Sequence, residues 1–536
     1  MDERQPAETR GNLFERRSTR RALLAGGATI AAMGTAAAIL GVSTISGDDA
    51  KPQTGGPGNP PEGGQKLALQ SRTLDNVVSD PKQRAAHLLR RAAFGGTAAQ
   101  IDEFAALSRE EAADRLLNFE TIDNSALDAR VAAANYDFIK FNDGIRWWYL
   151  RMIHTARPLE ERMTLIWHGL LTSQTSKIGG QKFKLMKAQN DLFRSHALGK
   201  YDDLLQAVAK DPAMLIYLDT VDSTKDHPNE NFARELMELF SLGVGNYSEG
   251  DVRESARAFT GWRITNEAPP AVKPNSPGLT EEEKRKLREE AYRAYEPAFL
   301  VQPRLHDSGS KTFLGKSGAF GGEEIISIIL EQAATGRFIT NRLFSEFAHS
   351  SPSQQTSDRL LKVWENSGHN IKDVVREILV SDEFYSERAY RAIVRSPINF
   401  VVNAIRGLEI ADELRPNMFS DKTIKGMDQV LFEPPNVAGW PGGATWLSSS
   451  TFFARVNFLD QFLMGQRGRA QSLPALANAG STEALVDRAL AIFVDGNVPN
   501  TSRQSIIDYA KTVSNEQQRA AAVAYLVLAS PEYQLV

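Results

Sequence analysis

Cysteine is absent from the 536 residues, which removes disulfides, thiolate metal sites and cysteine nucleophiles together. Histidine is scarce, at eight residues, so imidazole chemistry has few places to occur. A positive surplus is missing too. Lys and Arg number 62 against 66 Asp and Glu, a net charge of −4, and the pI is near 6.2. That balance argues against a nucleic-acid-binding surface. Alternating β-branched runs long enough for strands are almost lacking. No H-E-x-x-H, G-x-S-x-G or G-x-G-x-x-G pattern occurs, so those signatures of zincins, nucleophile elbows and dinucleotide sites are excluded. Gly315-Lys316-Ser317 imitates a phosphate loop, but Ser310 stands where its first glycine belongs.

What remains is ordinary for a globular protein, with 42% hydrophobic and 24% charged residues and therefore a sizeable core. The N-terminus is the exception. Arg20-Arg21 precedes an Ala/Gly-rich run, and Ala22 to Val42 carries no charge. Paired arginines before a weakly hydrophobic stretch predict export of folded cargo by the twin-arginine translocase, to a secreted or membrane-anchored destination. Residues 1–46 are thus read as signal or anchor, the one segment that meets a membrane. Residues 47–68 (Gly/Pro-rich and polar) are read as a disordered linker.

From Asp80 onward, apolar residues recur at helical spacing, and the expected fold class is mostly α, a large multi-helical domain with one or two short hairpins or extended loops. The helical core is placed at 69–470 and a set of packed C-terminal helices at 471–536. The segment 264–300 breaks the pattern. Its middle, LTEEEKRKLREEAYRAYEP, is a charge-laced helix with little apolar face, which reads as a solvated insertion. The following AFLVQPRLHDSGSKTFLG is the candidate hairpin, and PPNVAGWPGG, rich in Pro and Gly, is a non-helical loop. A short echo links Ile378–Phe384 (ILVSDEF) with Val527–Tyr533 (VLASPEY), as helical modules in succession would produce.

The stretch Pro228–Arg263 carries the sharpest pattern. It predicts two helices, with Asn229 capping the first, Gly243 and Gly245 ending it, and Ser248 with Asp251 opening the second. At about 100° per residue, Asn231, Glu235, Glu238 and Leu242 fall within an arc of roughly 60°. An amide and two carboxylates therefore stripe an otherwise apolar helix. Two Glu at this spacing have Cβ atoms about 5–6 Å apart, so one is held protonated unless a metal or an Arg (Arg253, Arg257 or Arg263) intervenes.

The blocks AAHLLRRAAFGG, ERMTLIWHGLLTS, QNDLFRSHALGKYDDLLQAVAKDPAMLIYLD, PNENFARELMELFSLGVGNYSEGDVRESARAFTGW, HDSGSKTFLG and FEPPNVAGWPGG resemble, in order, those of the bacterial domain-of-unknown-function 1800 family. The resemblance implies a large α-helical exported protein. It also implies a partner, since members are often encoded beside an exported family of sulfatase-like appearance. It carries no reaction. The family-matching polar residues are His168, Asn190, His196, Asn229, Asn231, Glu235, Glu238, Asp251, His306, Asp307, Trp440 and Trp446.

From these the expected site takes Glu235, Glu238, His306 and Asp307 as catalytic groups, with Asn231, His168, Asn190, Trp440 and Trp446 on the substrate. Glu235, Glu238 and His306 suit a divalent metal. Without a metal, the same groups suit general acid–base hydrolysis of an envelope or extracellular polymer. The other reading is a non-catalytic binding or assembly protein, in which the Trp residues pin the loop to the core. Glu346-x-x-His349 is the one spacing of a di-iron type, and a second is required.

Overall fold

The computed structural model describes residues 78–179, 182–265, 278–410, 419, 425–463 and 470–536. The signal and linker readings lie outside them, as does the first part of the insertion. Among the described residues there are 22 helices and two short antiparallel strand pairs, so the fold is mostly α. No described helix is long and apolar enough to cross a membrane.

The first helices begin as the sequence dictates. α1 (Pro81–Ala92) is capped by Asp80, while α2 (Ala98–Ala105) and α3 (Arg109–Leu117) carry capping boxes from Thr97 and Ser108. α4 (Ser125–Ala134) and α5 (Phe141–His154) follow, and α6 (Pro158–Leu170) starts on Pro158, where a missing N–H costs nothing. The short α7 (Thr175–Ile178) leads to α8 (Phe183–Ser195), α9 (Tyr201–Ala209) and α10 (Pro212–Tyr217). Trp147, Trp148 and Trp167 of α5 and α6 are fully buried. Each Leu or Ile buried around them stabilises the fold by about 1.5–3 kcal/mol.

The two helices expected in 228–263 are α11 (Asn231–Glu238) and α12 (Glu249–Ala258). Ser248 and Asp251 form the capping box, and Gly243 and Gly245 have φ of 78° and 89°. Leu242 lies beyond the helix and is buried, so it leaves the polar stripe. Asn229 acts one position earlier than a formal cap. Its Oδ1 accepts the Asn231 N–H at 2.9 Å, while Glu230 occupies the cap position.

The insertion leaves and rejoins through a ladder. β1 (Trp262–Ile264) pairs antiparallel with β2 (Phe299–Val301). Between them α13 (Glu281–Arg293) has no buried residue, and Arg293 ties it to Asp137 at 2.8 Å. The hairpin is confined to β3 (Lys311–Phe313) and β4 (Lys316–Gly318). Gly315 is its turn, at φ 79°.

α14 (Gly322–Leu330) precedes a three-helix module, α15 (Ala333–Phe347), α16 (Gln354–Asn366) and α17 (Ile371–Val380). α18 (Pro397–Gly407) and α19 (Ser449–Leu463) separate it from a second, α20 (Thr482–Val494), α21 (Asn500–Lys511) and α22 (Glu516–Ala529). In each module the three helices pack on one another. The sequence echo marks equivalent ends. Ser381 and Ser530 are both C-caps, at φ/ψ of −70°/150° and −65°/154°. The Ser381 Oγ accepts the Phe384 N–H at 3.1 Å, and the Ser530 Oγ accepts the Tyr533 N–H at 3.3 Å. Phe384 then packs on His87, and Tyr533 on Phe400. The Glu346/His349 spacing is occupied otherwise: Glu346 faces Arg162 and His349 faces Glu383.

Candidate functional site

Glu235 and Glu238 sit on α11, both partly exposed. Burial raises the Glu235 pKa above its ordinary value, the Glu238 charge raises it further, and Arg234 opposes least. Glu238 accepts the Tyr247 hydroxyl at 2.7 Å. Asn231 donates from Nδ2 to Asp219 at 3.2 Å, and Lys177 reaches the same carboxylate at 2.8 Å. Lys177 also stands 5.6 Å from the Tyr217 ring centroid.

Tyr217 joins this stripe to a second carboxyl that the sequence did not single out. Its phenol is raised first by burial, then by the charges of Glu235 and Glu433. Glu433 lies in the Pro/Gly loop and accepts from the Ser176 N–H at 2.9 Å and the Ser176 hydroxyl at 3.0 Å. Burial outweighs those bonds and also raises Glu433, with Lys425 the smallest influence. Glu433, Trp440, Lys425, Asp428, Asn436 and Phe141 line a cavity of about 710 Å³. The candidate site is this cavity, whose Glu433 acts electrostatically on Tyr217 together with Glu235.

His168 and Asn190 lie behind the cavity, each 1% exposed. Trp148, Phe193, Phe432 and Trp440 surround the imidazole at 5.4–6.3 Å between ring centroids. Burial drives its pKa down to about 3, so it is neutral. Below it is an ion hub. Glu161 is wholly buried and accepts from Trp148 Nε1 at 3.0 Å, Arg151 Nε at 2.7 Å and Arg194 Nε at 2.8 Å. Burial alone would raise Glu161, but the two guanidinium groups hold it down at about 2.

His306 and Asp307 are employed elsewhere. The His306 Nδ1 meets the Thr260 carbonyl at 2.8 Å. Asp307 takes Arg257 in a two-point ion pair, at 2.7 and 3.2 Å, which holds its carboxyl below the usual range. Arg257, expected near the Glu pair, is thereby engaged by Asp307 and Glu254. Among the described residues no three His, Asp or Glu side chains are grouped to hold a metal ion. Of the expected trio Glu235, Glu238 and His306, the imidazole meets the Thr260 carbonyl and Glu238 accepts the Tyr247 hydroxyl.

Trp440 is the cavity wall and also a packing element, its ring lying over Gly169. Trp446 packs within its own loop, over Gly442. The end of that loop is not extended, since Gly443–Leu447 closes as one turn of 3-10 helix. A second cavity, about 690 Å³, borders α1 to α3. Its arginines are engaged structurally, Arg115 by Glu103, Arg157 by the Ile122 carbonyl and Arg406 by the carbonyls of Met152, Ile153 and Thr155.

No curated protein and no solved structure matches the chain. One family profile does, that of the "Protein of unknown function (DUF1800)", over residues 87–535. That span takes in both helical modules, the α11 stripe and the Trp440 loop, and the chain belongs to the DUF1800 family.

Proposed function

We propose that the chain is an exported hydrolase acting on an envelope or extracellular polymer, with Glu235 as general acid and Glu433 as general base. The observation that carries this is that the Glu235 and Glu433 charges both act on Tyr217, with Glu433 in the lining of a cavity large enough for a polymer unit. Their surroundings separate their roles. Glu235 has a like charge at Glu238 as its chief neighbour, which favours the protonated form. Burial raises Glu433 as well, but it receives two hydrogen bonds from Ser176, which oppose that shift and favour the carboxylate relative to Glu235. In the reaction Glu235 protonates the leaving oxygen and Glu433 takes a proton from water, so water is added across the cleaved bond. Asn231, Asp219 and Lys177 form a polar rim that orients the chain of the substrate.

The test is release of soluble fragments from the producing bacterium's own envelope polymer. Wild-type protein is expected to release them, and Glu235→Gln or Glu433→Gln to slow release about 10²–10⁴-fold with unchanged melting. A wild-type protein that releases nothing, or a Gln variant of full activity, overturns the reading. Export through the twin-arginine route and work beside a sulfatase-like exported protein belong to the same proposal. They rest on Arg20-Arg21 and on the family resemblance.

A further inference from the structure

The loop 434–446 covers polar atoms that no described residue satisfies. His168 Nε2, Asn190 Nδ2 and Trp440 Nε1 are all buried without a hydrogen-bond partner. They lie together. The Trp440 ring is 5.4 Å from the imidazole, and Phe193, one turn along α8 from Asn190, is 6.3 Å from it. Arg194 binds the Asn190 Oδ1 at 2.6 Å, which leaves the amide nitrogen as the available donor. Each orphaned group penalises the closed arrangement, because it has given up water and received nothing.

The loop is also built to move. Gly439, Gly442 and Gly443 have φ of 84°, 66° and 57°, a region glycine enters freely. It is held at the end of α6 by the Trp440 ring over Gly169 and, just past the helix, by the Thr172 hydroxyl donating to the Val437 carbonyl. The chemistry underneath is uncharged. The imidazole is neutral, and the Glu161 charge is consumed by Arg151 and Arg194. Neutral donors and an acceptor set among Trp148, Phe432 and Trp440 match the hydroxyl groups and C–H faces of a sugar ring, whereas a charged ring would lose its hydration without a counter-charge.

We propose that 434–446 is a lid over a subsite for an uncharged pyranose ring, which stacks on Trp440 and hydrogen-bonds to His168 and Asn190 when the loop opens. This deepens the hydrolase reading, and it rests on that reading only for the ring being one unit of a polymer. The cavity beside Trp440 is the mouth through which the ring enters.

The full chain titrated with cellohexaose, maltohexaose and chitohexaose, followed by tryptophan emission, tests it. At least one should give a saturable shift. His168→Leu and the loop variant Trp440→Ala should each weaken that binding tenfold or more, and Arg503→Gln, on α21 in an ion pair with Asp487, should leave it unchanged. A ligand-free readout runs in parallel. Amides of 434–446 should exchange with solvent faster than those of α6, and His168→Phe, which removes one orphan, should slow them at least threefold. No response to any hexaose, equal affinity in both binding variants, or loop exchange as slow as α6 overturns the proposal. Hexaose binding with no polymer cleavage would remove the hydrolase reading and keep the subsite; cleavage without hexaose binding would do the reverse.

Discussion

Gly439 lies so close to Gly169 that a Cβ added to it would stand 2.2 Å from the Gly169 carbonyl oxygen. Gly439 also has φ of 84°, which an L side chain rarely adopts. Two backbones therefore touch where the Trp440 loop meets the end of α6. Gly439→Ala is expected to push the loop off α6 and destabilise the protein by about 1–3 kcal/mol, read from urea midpoints. Trp440 emission should shift to the red as its ring leaves Gly169.

The ion hub gives an acid-range prediction. Glu161 is held at about 2, below its usual 4.5, so its contribution to stability is present above the usual value and is lost as pH falls towards about 2. Glu161→Gln leaves the largely buried Arg151 without a counter-charge and Arg194 with Asp191 alone, which costs about 3–5 kcal/mol. Urea unfolding at pH 7 checks the size of the loss. The variant's stability should also fall less between pH 5 and pH 3 than that of the wild type.

Asp211 behaves in the opposite sense. It caps α10 through the Met214 N–H at 2.9 Å and accepts from Gln189 at 2.7 Å, yet burial raises it from 3.8 to about 7. A raised carboxyl stabilises most below its unfolded value, and that contribution drains away as pH rises through about 7. Between those limits the slope from this group is about 1.4 kcal/mol per pH unit. Asp211→Asn keeps the cap and can donate to the Gln189 Oε1, which has no partner. The variant should be more stable than wild type at pH 8, with the difference shrinking by pH 4.

Export is tested at the cell. Replacing Arg20 and Arg21 by Lys should leave the protein in the cytoplasmic fraction, folded and with an unchanged melting profile. Full appearance outside the cytoplasm would remove the twin-arginine proposal.

The helices were legible because their signals are local: Asp80, Thr97, Ser108 and Ser248 act within three residues of themselves. The polar stripe of α11 was legible as a period, and the echo at Ser381 and Ser530 as a repeated cap. The partners of these features were not. The Glu235 and Glu433 charges both act on Tyr217 from separate elements, and no spacing encodes that. Glu161 sits in LEERMTLIWHGL, where a Glu beside an Arg reads as surface, although it is wholly buried. His306-Asp307 misled for the reverse reason. A loop His-Asp pair looks reactive, but Arg257 and Thr260 supply structural partners from 46 to 50 residues away.

The place of α1 has a consequence in time. His87 waits for Phe384, Arg91 for Ala389, and Arg90 for Asp495, at separations of 297, 298 and 405 residues. At synthesis rates of roughly 5–20 residues per second, the last of these partners emerges roughly 20–80 s after the arginine. For that interval α1 can pack on α2 and α3 but lacks these three partners. The first described helix is thus among the last to have its buried polar groups paired, and its docking reports that both modules are in place.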